Sequence, residues 1–157
     1  MLFDSAVQFP RLHVESQAEL FKVLGNAAIE AGYAKPEYVD ALLAREAEYP
    51  TGLPISGGVA IPHTSAEFVT GNTIAVATLD TPVIFHEMGG DADSTLEVST
   101  VLLLILGQAD MHVKLLSQLI KKIQKSDFVE ELQAAPDAEA LAAILSATFP
   151  ENSENPV

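Results

Sequence analysis

A histidine placed directly behind a proline is the residue of this chain best suited to do chemistry. His63 follows Pro62 and the short β-branched run at residues 59–61, and the proline ring holds its own φ at about −65°, which reduces local slack. Histidine has an unperturbed pKa of about 6.5, and its neutral ring carries a lone pair. His63 could therefore attack phosphorus or bind a metal; the alternative is a turn histidine that donates to a backbone carbonyl.

Two further side chains could hold an anion beside this ring. His112 falls in the first turn of a predicted helix, on its inward face, where the helix N-terminus disfavours a protonated ring and offers backbone N–H groups to an anion. Arg45 lies just upstream of the glycine-rich connection that leads to His63, and a guanidinium can hold two phosphoryl oxygens at once. The alternatives are a buried histidine bonded to a carbonyl, and a surface ion pair of Arg45 with Glu46 or Glu48.

The other histidines and the missing sequence motifs argue against several classes of site. His13 and His86 have no comparable neighbours, no histidines are spaced as HxxxH, and the chain has no cysteine, so we expect no metal site. The sequence also lacks GxGxxG, GxxxxGK[ST] and GxSxG, which argues against nucleotide-dependent and hydrolase chemistry. Phosphate handling without a cofactor remains.

Length and composition predict one domain, and the cytoplasm is its default location. The chain has 157 residues, 48% of them hydrophobic, and we expect a single domain at residues 1–149 followed by a disordered acidic tail at 150–157. It has no secretory signal, and no apolar run exceeds six residues, so we expect no membrane insertion. A net charge of −14 argues against nucleic-acid binding, and it either attracts a basic protein partner or serves solubility.

Hydrophobic periodicity predicts helices at both ends of the chain and strands between them. Because all these apolar faces can be buried only if the sheet is covered on two sides, we expect a three-layer α/β (α+β) sandwich. The predicted helices span about 17–31, starting from a capping box at Ser16 and Glu19, and 36–50, with three more starting near 110, 126 and 136. The predicted strands are 73–79, 83–85 and 96–106, with turns at 80–82 and 87–94 and an irregular connection at 51–58.

Two segments carry a family resemblance. Residues 44–52, AREAEYPTG, followed by residues 58–64, GVAIPHT, resemble the enzyme IIA domain of the fructose/mannitol type in the bacterial sugar phosphotransferase system. The arginine-glutamate, threonine-glycine and alanine-isoleucine-proline-histidine elements come in that family's order and spacing. The resemblance covers residues 16–149 and implies a mixed sheet with helices on both faces. The residues around Thr51 and His63 are most similar to the galactitol-type stand-alone IIA proteins, and the sugar stays open as a hexose or a hexitol.

The resemblance also implies a reaction and its partners. The phosphocarrier protein HPr would phosphorylate His63 on Nε2, with Nδ1–H held by a backbone carbonyl. His112 would be the supporting histidine and Arg45 the phosphate-contacting arginine, and we add the Thr64 hydroxyl as a further ligand of the phosphoryl oxygens. A cysteine of the cognate IIB component would receive the group, and the membrane IIC permease would phosphorylate the sugar, with no nucleotide or metal. The alternative is a regulatory IIA-type module whose phosphorylation on His63 controls binding to a target protein.

Overall fold

A five-stranded sheet forms the middle layer of the protein. The structure, a computed structural model, describes residues 3–149, apart from the side chains of residues 109–112 and 126. The strands are β1 (Phe9–Leu12), β2 (Gly52–Leu53), β3 (Val59–Ala60), β4 (Thr73–His86) and β5 (Thr95–Ile105), in the spatial order β1-β4-β5-β3-β2. The β1–β4 and β3–β5 pairs are parallel, whereas β4–β5 and β2–β3 are antiparallel. The sheet is therefore mixed, as expected.

Helices cover both faces of this sheet. Side chains alternate along β5, so that Val101 and Leu103 belong to one buried apolar cluster while Leu102 and Leu104 belong to a second. The first cluster includes apolar residues of α1 (Gln17–Glu30) and α2 (Tyr38–Glu48). The second includes apolar residues of α3 (Ala109–Ile123), α4 (Ser126–Ala134) and α5 (Ala138–Thr148). This arrangement confirms the predicted three-layer sandwich.

Helix α1 begins at the predicted capping box. The Ser16 hydroxyl accepts a hydrogen bond from the backbone N–H of Glu19 at 3.1 Å. The Glu19 carboxylate in turn accepts from the backbone N–H of Glu15 at 2.7 Å, one residue earlier than in the standard box. The helix is followed by Gly32 with a φ of +88°, the conformation that commonly ends a helix. Both ends of this helix were therefore readable from residue type.

The turn predicted at residues 80–82 is wrong, because this segment belongs to one continuous strand, β4. Thr78 pairs with Thr100 and Val83 with Val98, so four residues of β4 lie opposite the single residue Ser99 of β5. This irregularity accommodates Pro82, which has no N–H for the ladder.

Three short strands were not predicted, and one terminal prediction is untested. Strand β1 contains Pro10, and β2 and β3 have only two residues each. The predicted tail at 150–157 lies outside the described residues, so the division into residues 1–149 and a tail stays a prediction. Within the described part of the chain, no helix has the length and apolar character needed to cross a membrane.

Candidate functional site

His63 lies just beyond β3, attached to the central strand β5. The Pro62 carbonyl accepts a hydrogen bond from the backbone N–H of Leu104 at 3.0 Å, and His63 and Leu104 form an isolated parallel bridge. Ile61 and Pro62 are buried, whereas His63 is partly exposed. The histidine therefore stands at the carboxyl end of a parallel strand pair, where α/β proteins commonly place their sites.

A backbone carbonyl determines which nitrogen of the His63 ring carries the lone pair. Nδ1 lies 3.0 Å from the carbonyl oxygen of Ile61. Because a carbonyl oxygen can only accept, Nδ1 is the nitrogen that carries the proton. In the neutral ring the lone pair is then on Nε2. The carbonyl contact fits both expectations for His63, since a purely structural turn histidine would make it too.

The His63 side chain shares a pocket with Arg45. The pocket has a volume of about 330 Å³ and is open to solvent. Its walls come from the end of α2 and the residues after it, from the turn that follows β4, and from His63 itself; the other lining residues are Glu48, Tyr49, Pro50, Thr51, Met88, Gly89 and Gly90. The structure thus brings together two of the side chains that the sequence singled out.

The Arg45 guanidinium lies over an aromatic ring. Its central carbon is 4.4 Å from the centroid of Tyr49, a cation–π geometry that restrains the cation at the pocket wall. Both side chains are exposed. Among the described side chains, Arg45 makes no ion pair with Glu46 or Glu48, the surface alternative raised above.

Glu46, the neighbour of Arg45, points the opposite way, into the protein. It is 4% exposed, and its carboxylate accepts from the backbone N–H of Thr51 at 2.7 Å and from the Thr51 hydroxyl at 2.9 Å. Burial raises the pKa of Glu46 to about 7, against the opposing effect of the two Thr51 donors. This inward direction was not predicted, although the spacing contained a signal: Glu46 stands four residues after the buried Leu42, on the same helix face.

The structure does not place the other two proposed residues, Thr64 and His112, in the pocket: Thr64 is not a lining residue, and the His112 side chain is not described. Thr64 is 2% exposed, its hydroxyl donates to the Ser65 carbonyl at 2.9 Å, and it is not among the residues that line the pocket. His112 lies near the start of α3, but its side chain is outside the described residues.

The histidines without an assigned role lie in other surroundings. The ring nitrogens of His13 are each 2.9 Å from a carboxylate oxygen, one of Glu15 and one of Asp80, and these contacts raise the pKa of His13 to about 9. His86 lines a neighbouring pocket of about 440 Å³, which shares Glu48, Pro50 and Gly90 with the His63 pocket. Among the side chains that the structure describes, no group of three or more His, Asp or Glu residues is arranged to hold a metal ion.

The geometry suits the transfer of an anionic group between macromolecules. A neutral imidazole with its lone pair on Nε2 is a nucleophile, and Arg45 supplies a fixed positive charge in the same pocket. The pocket is open, so a group carried on another protein can reach it.

Comparison with known proteins identifies the family. The family model described as "Phosphoenolpyruvate-dependent sugar phosphotransferase system, EIIA 2" matches residues 1–148. The chain is 32% identical over 124 residues to the galactitol-specific EIIA component of the phosphotransferase system from Escherichia coli strain K12, covering 78% of this chain and 81% of that protein.

Solved structures share the fold. The enzyme IIA for mannitol from Escherichia coli, solved in complex with phosphorylated enzyme IIB, has a TM-score of 0.73 and 20% identity, over 92% of this chain and 97% of that one. The nitrogen regulatory protein IIA-Ntr from Neisseria meningitidis has a TM-score of 0.70 and 27% identity, over 92% of this chain and 96% of that one. With its sequence and its fold in agreement, this chain belongs to the EIIA 2 family of the phosphoenolpyruvate-dependent sugar phosphotransferase system.

Proposed function

We propose that this chain accepts a phosphoryl group from phospho-HPr on Nε2 of His63 and passes it to a cysteine of a cognate IIB component. The observation that carries the proposal is that His63 and Arg45 line one pocket, and the Nδ1 contact with the Ile61 carbonyl fits it by placing the lone pair of the neutral ring on Nε2. The sugar would be a hexose or a hexitol. Galactitol is favoured, because the relative with 32% identity carries galactitol in its name.

The chemical step replaces one N–P bond with another. Nε2 of His63 attacks phosphorus in line with the departing ring of phospho-HPr, whose N–P bond breaks as the new one forms and whose imidazole leaves with the bonding electron pair. Negative charge is then shared by the three equatorial oxygens, so catalysis consists mainly of positioning and of stabilising that charge. Such an exchange requires neither a nucleotide nor a metal ion.

The supporting residues act on the oxygens of the group in transfer. Arg45 can hold two of them with its planar guanidinium, and stacking on Tyr49 restrains it for that contact. His112 would donate from the first turn of α3. The Thr64 hydroxyl would have to exchange its present bond to the Ser65 carbonyl for one to an oxygen, so we expect the smallest effect from its removal.

The partners act in sequence at the same pocket. A basic HPr would be attracted by the net charge of −14. The IIB component follows at the same histidine, and the membrane IIC permease then phosphorylates the sugar during uptake. A protein that exchanges phosphoryl groups with HPr and with a IIB component would work in the cytoplasm.

The test is transfer of labelled phosphate from phospho-HPr to purified variants. His63→Ala should take up no label, whereas His13→Ala, which removes a histidine outside the pocket, should be labelled like the wild type. Arg45→Ala should slow the transfer by about 10²-fold, as expected for loss of one charge-stabilising group. Circular dichroism checks that each variant is folded. Full labelling of His63→Ala would refute the assignment.

The regulatory alternative makes a different prediction for the next step. A regulatory module would keep its phosphoryl group when offered a panel of IIB proteins, and its affinity for a target protein would change instead. Of the three proteins compared above, the one with the highest identity is the galactitol component, and this favours transport. A neighbouring gene for a cysteine-bearing IIB component would support the same conclusion.

A further inference from the structure

Glu46 is the only buried carboxylate among the described side chains. It sits near the end of α2 and receives two hydrogen bonds from Thr51, five residues later. These bonds close the turn that carries Tyr49 and Pro50, which with Arg45 and Thr51 form one wall of the His63 pocket. The carboxylate therefore joins the end of α2 to Thr51 across this turn.

A continuous series of hydrogen bonds leads from Glu46 to the His63 ring. Thr51, held by the carboxylate, accepts at its own carbonyl from the backbone N–H of Ile61 at 3.4 Å. The Ile61 carbonyl in turn accepts from Nδ1 of His63 at 3.0 Å. The atom that orients the ring thus belongs to a residue whose backbone is tied to Thr51, and through it to Glu46.

Stability alone does not explain an acidic residue at this position. A carboxylate removed from water is unfavourable unless hydrogen bonds compensate it, and an apolar side chain of similar size would pack there without that requirement. Position 46 follows Leu42 by one helical turn, and Leu42 belongs to the apolar cluster beneath α2. The hydrogen bonds that the carboxylate accepts all come from Thr51, a residue of the pocket wall.

We infer that Glu46 is a positioning residue for phosphoryl transfer: by fixing Thr51 it places the Arg45 wall and holds the Ile61 backbone that orients His63. The inference rests on the proposed acceptor role of His63. Glu46 does not line the pocket of His63 and Arg45, so its substitution would act through the ring and the wall.

Glutamine at position 46 tests whether the carboxylate itself is needed, because the glutamine side chain fills the same space. Glu46→Gln keeps the size of the side chain, but its NH₂ group can only donate. The Thr51 hydroxyl must then either turn to accept from this group or share the one amide oxygen with the Thr51 N–H, so its present bond at 2.9 Å to the other carboxylate oxygen is lost. Asp40→Asn is the matched control, because it removes one negative charge from an exposed position on the same helix. Thr51→Val removes the hydroxyl donor, and Thr51→Ser restores it.

Two readouts test the inference. In single-turnover transfer from phospho-HPr, Glu46→Gln should lower the maximal rate by about 10- to 100-fold, with little change in the half-saturating concentration of phospho-HPr. In ¹⁵N NMR spectra of the His63 ring, the wild type should have its proton on Nδ1, and Glu46→Gln should show a second tautomer with the proton on Nε2. Asp40→Asn should match the wild type in both readouts. Thr51→Val should shift towards Glu46→Gln, and Thr51→Ser should lie closer to the wild type than Thr51→Val does.

A wild-type rate and a single tautomer in folded Glu46→Gln would overturn the inference. If Glu46→Gln does not fold, the comparison of Thr51→Val with Thr51→Ser decides, and equal rates for those two would overturn it as well. Labelling of His63→Ala would instead show that the proposed function has failed. The two failures are therefore distinguishable.

Discussion

At Gly58, one added methyl group should disrupt the start of β3, the strand that leads to His63. The φ of Gly58 is +93°, and a Cβ built there would lie 2.0 Å from the carbonyl oxygen of Glu97 on β5. The neighbouring Gly57 has a similar φ of +82°, but a Cβ there would meet nothing within 4 Å. Both Gly58→Ala and Gly57→Ala therefore force an alanine into a left-handed backbone conformation. Only Gly58→Ala also creates a steric clash with the Glu97 carbonyl.

The expected losses of stability follow from these contacts. An L-residue in the left-handed region costs about 1–2 kcal/mol, and we expect this loss for Gly57→Ala. Gly58→Ala must in addition move the start of β3 away from β5, which breaks the bonds from the N–H groups of Ser99 and Thr100 to the Gly58 carbonyl, at 3.0 and 3.3 Å. At about 1 kcal/mol for each bond, we expect a total loss of about 3–4 kcal/mol for Gly58→Ala.

Urea unfolding followed by circular dichroism measures both variants against the wild type, with free energies from linear extrapolation. Gly58→Ala should also slow transfer from phospho-HPr, because β3 leads directly into Pro62 and His63. Losses that agree to within about 0.5 kcal/mol for the two variants would show that the contact with Glu97 does not govern this turn.

Three further predictions concern buried and paired groups. The pKa of Glu46 rises from 4.5 to about 7 on folding. The free energy of unfolding should therefore fall by about 3 kcal/mol as the pH rises from 4.5 to 7. Urea unfolding at several pH values should show this decrease in the wild type and not in Glu46→Gln. The hydroxyl of Tyr38 is buried with no hydrogen-bond partner among the described residues, so Tyr38→Phe should raise the stability by up to about 1 kcal/mol, and a lower midpoint of thermal unfolding would contradict this. Glu15 and Asp80 raise the pKa of His13 to about 9, so its contribution to stability is complete below the ordinary histidine pKa and is lost as the pH rises through 9; an NMR titration should give this value and a lower one in Asp80→Asn.

The helices could be predicted because their ends are marked by local chemistry. Ser16 and Glu19 start α1, and Asp137 caps α5 by accepting from the backbone N–H of Ala140 at 2.8 Å. Strand β1 could not be predicted in this way, because Phe9–Leu12 has four residues and includes a proline, and its partner in β4 is about 70 residues away. The Asp-Thr-Pro segment at 80–82 has the composition of a turn. It is nevertheless part of β4, because β4 pairs with β5 on both sides of this segment.

The candidate site was predictable to the extent that residue type determines chemistry. His63 and Arg45 stood out as a nucleophile and an anion ligand, and the fold places both at one pocket. Glu46 was considered only as a surface partner of Arg45, because a glutamate is usually exposed. Its inward direction follows from its spacing to Leu42, but its role depends on the turn that returns Thr51 to the helix end, and this contact is tertiary.

The two apolar clusters have a common boundary in strands β4 and β5, since neighbouring residues of each strand belong to opposite clusters. If either helical layer separated, it would expose one face of the sheet whose opposite face packs against the other layer. We expect the two layers to unfold cooperatively, as one unit rather than as separable halves. His63, which is bridged to β5, should then keep its orientation up to the point at which the whole molecule melts.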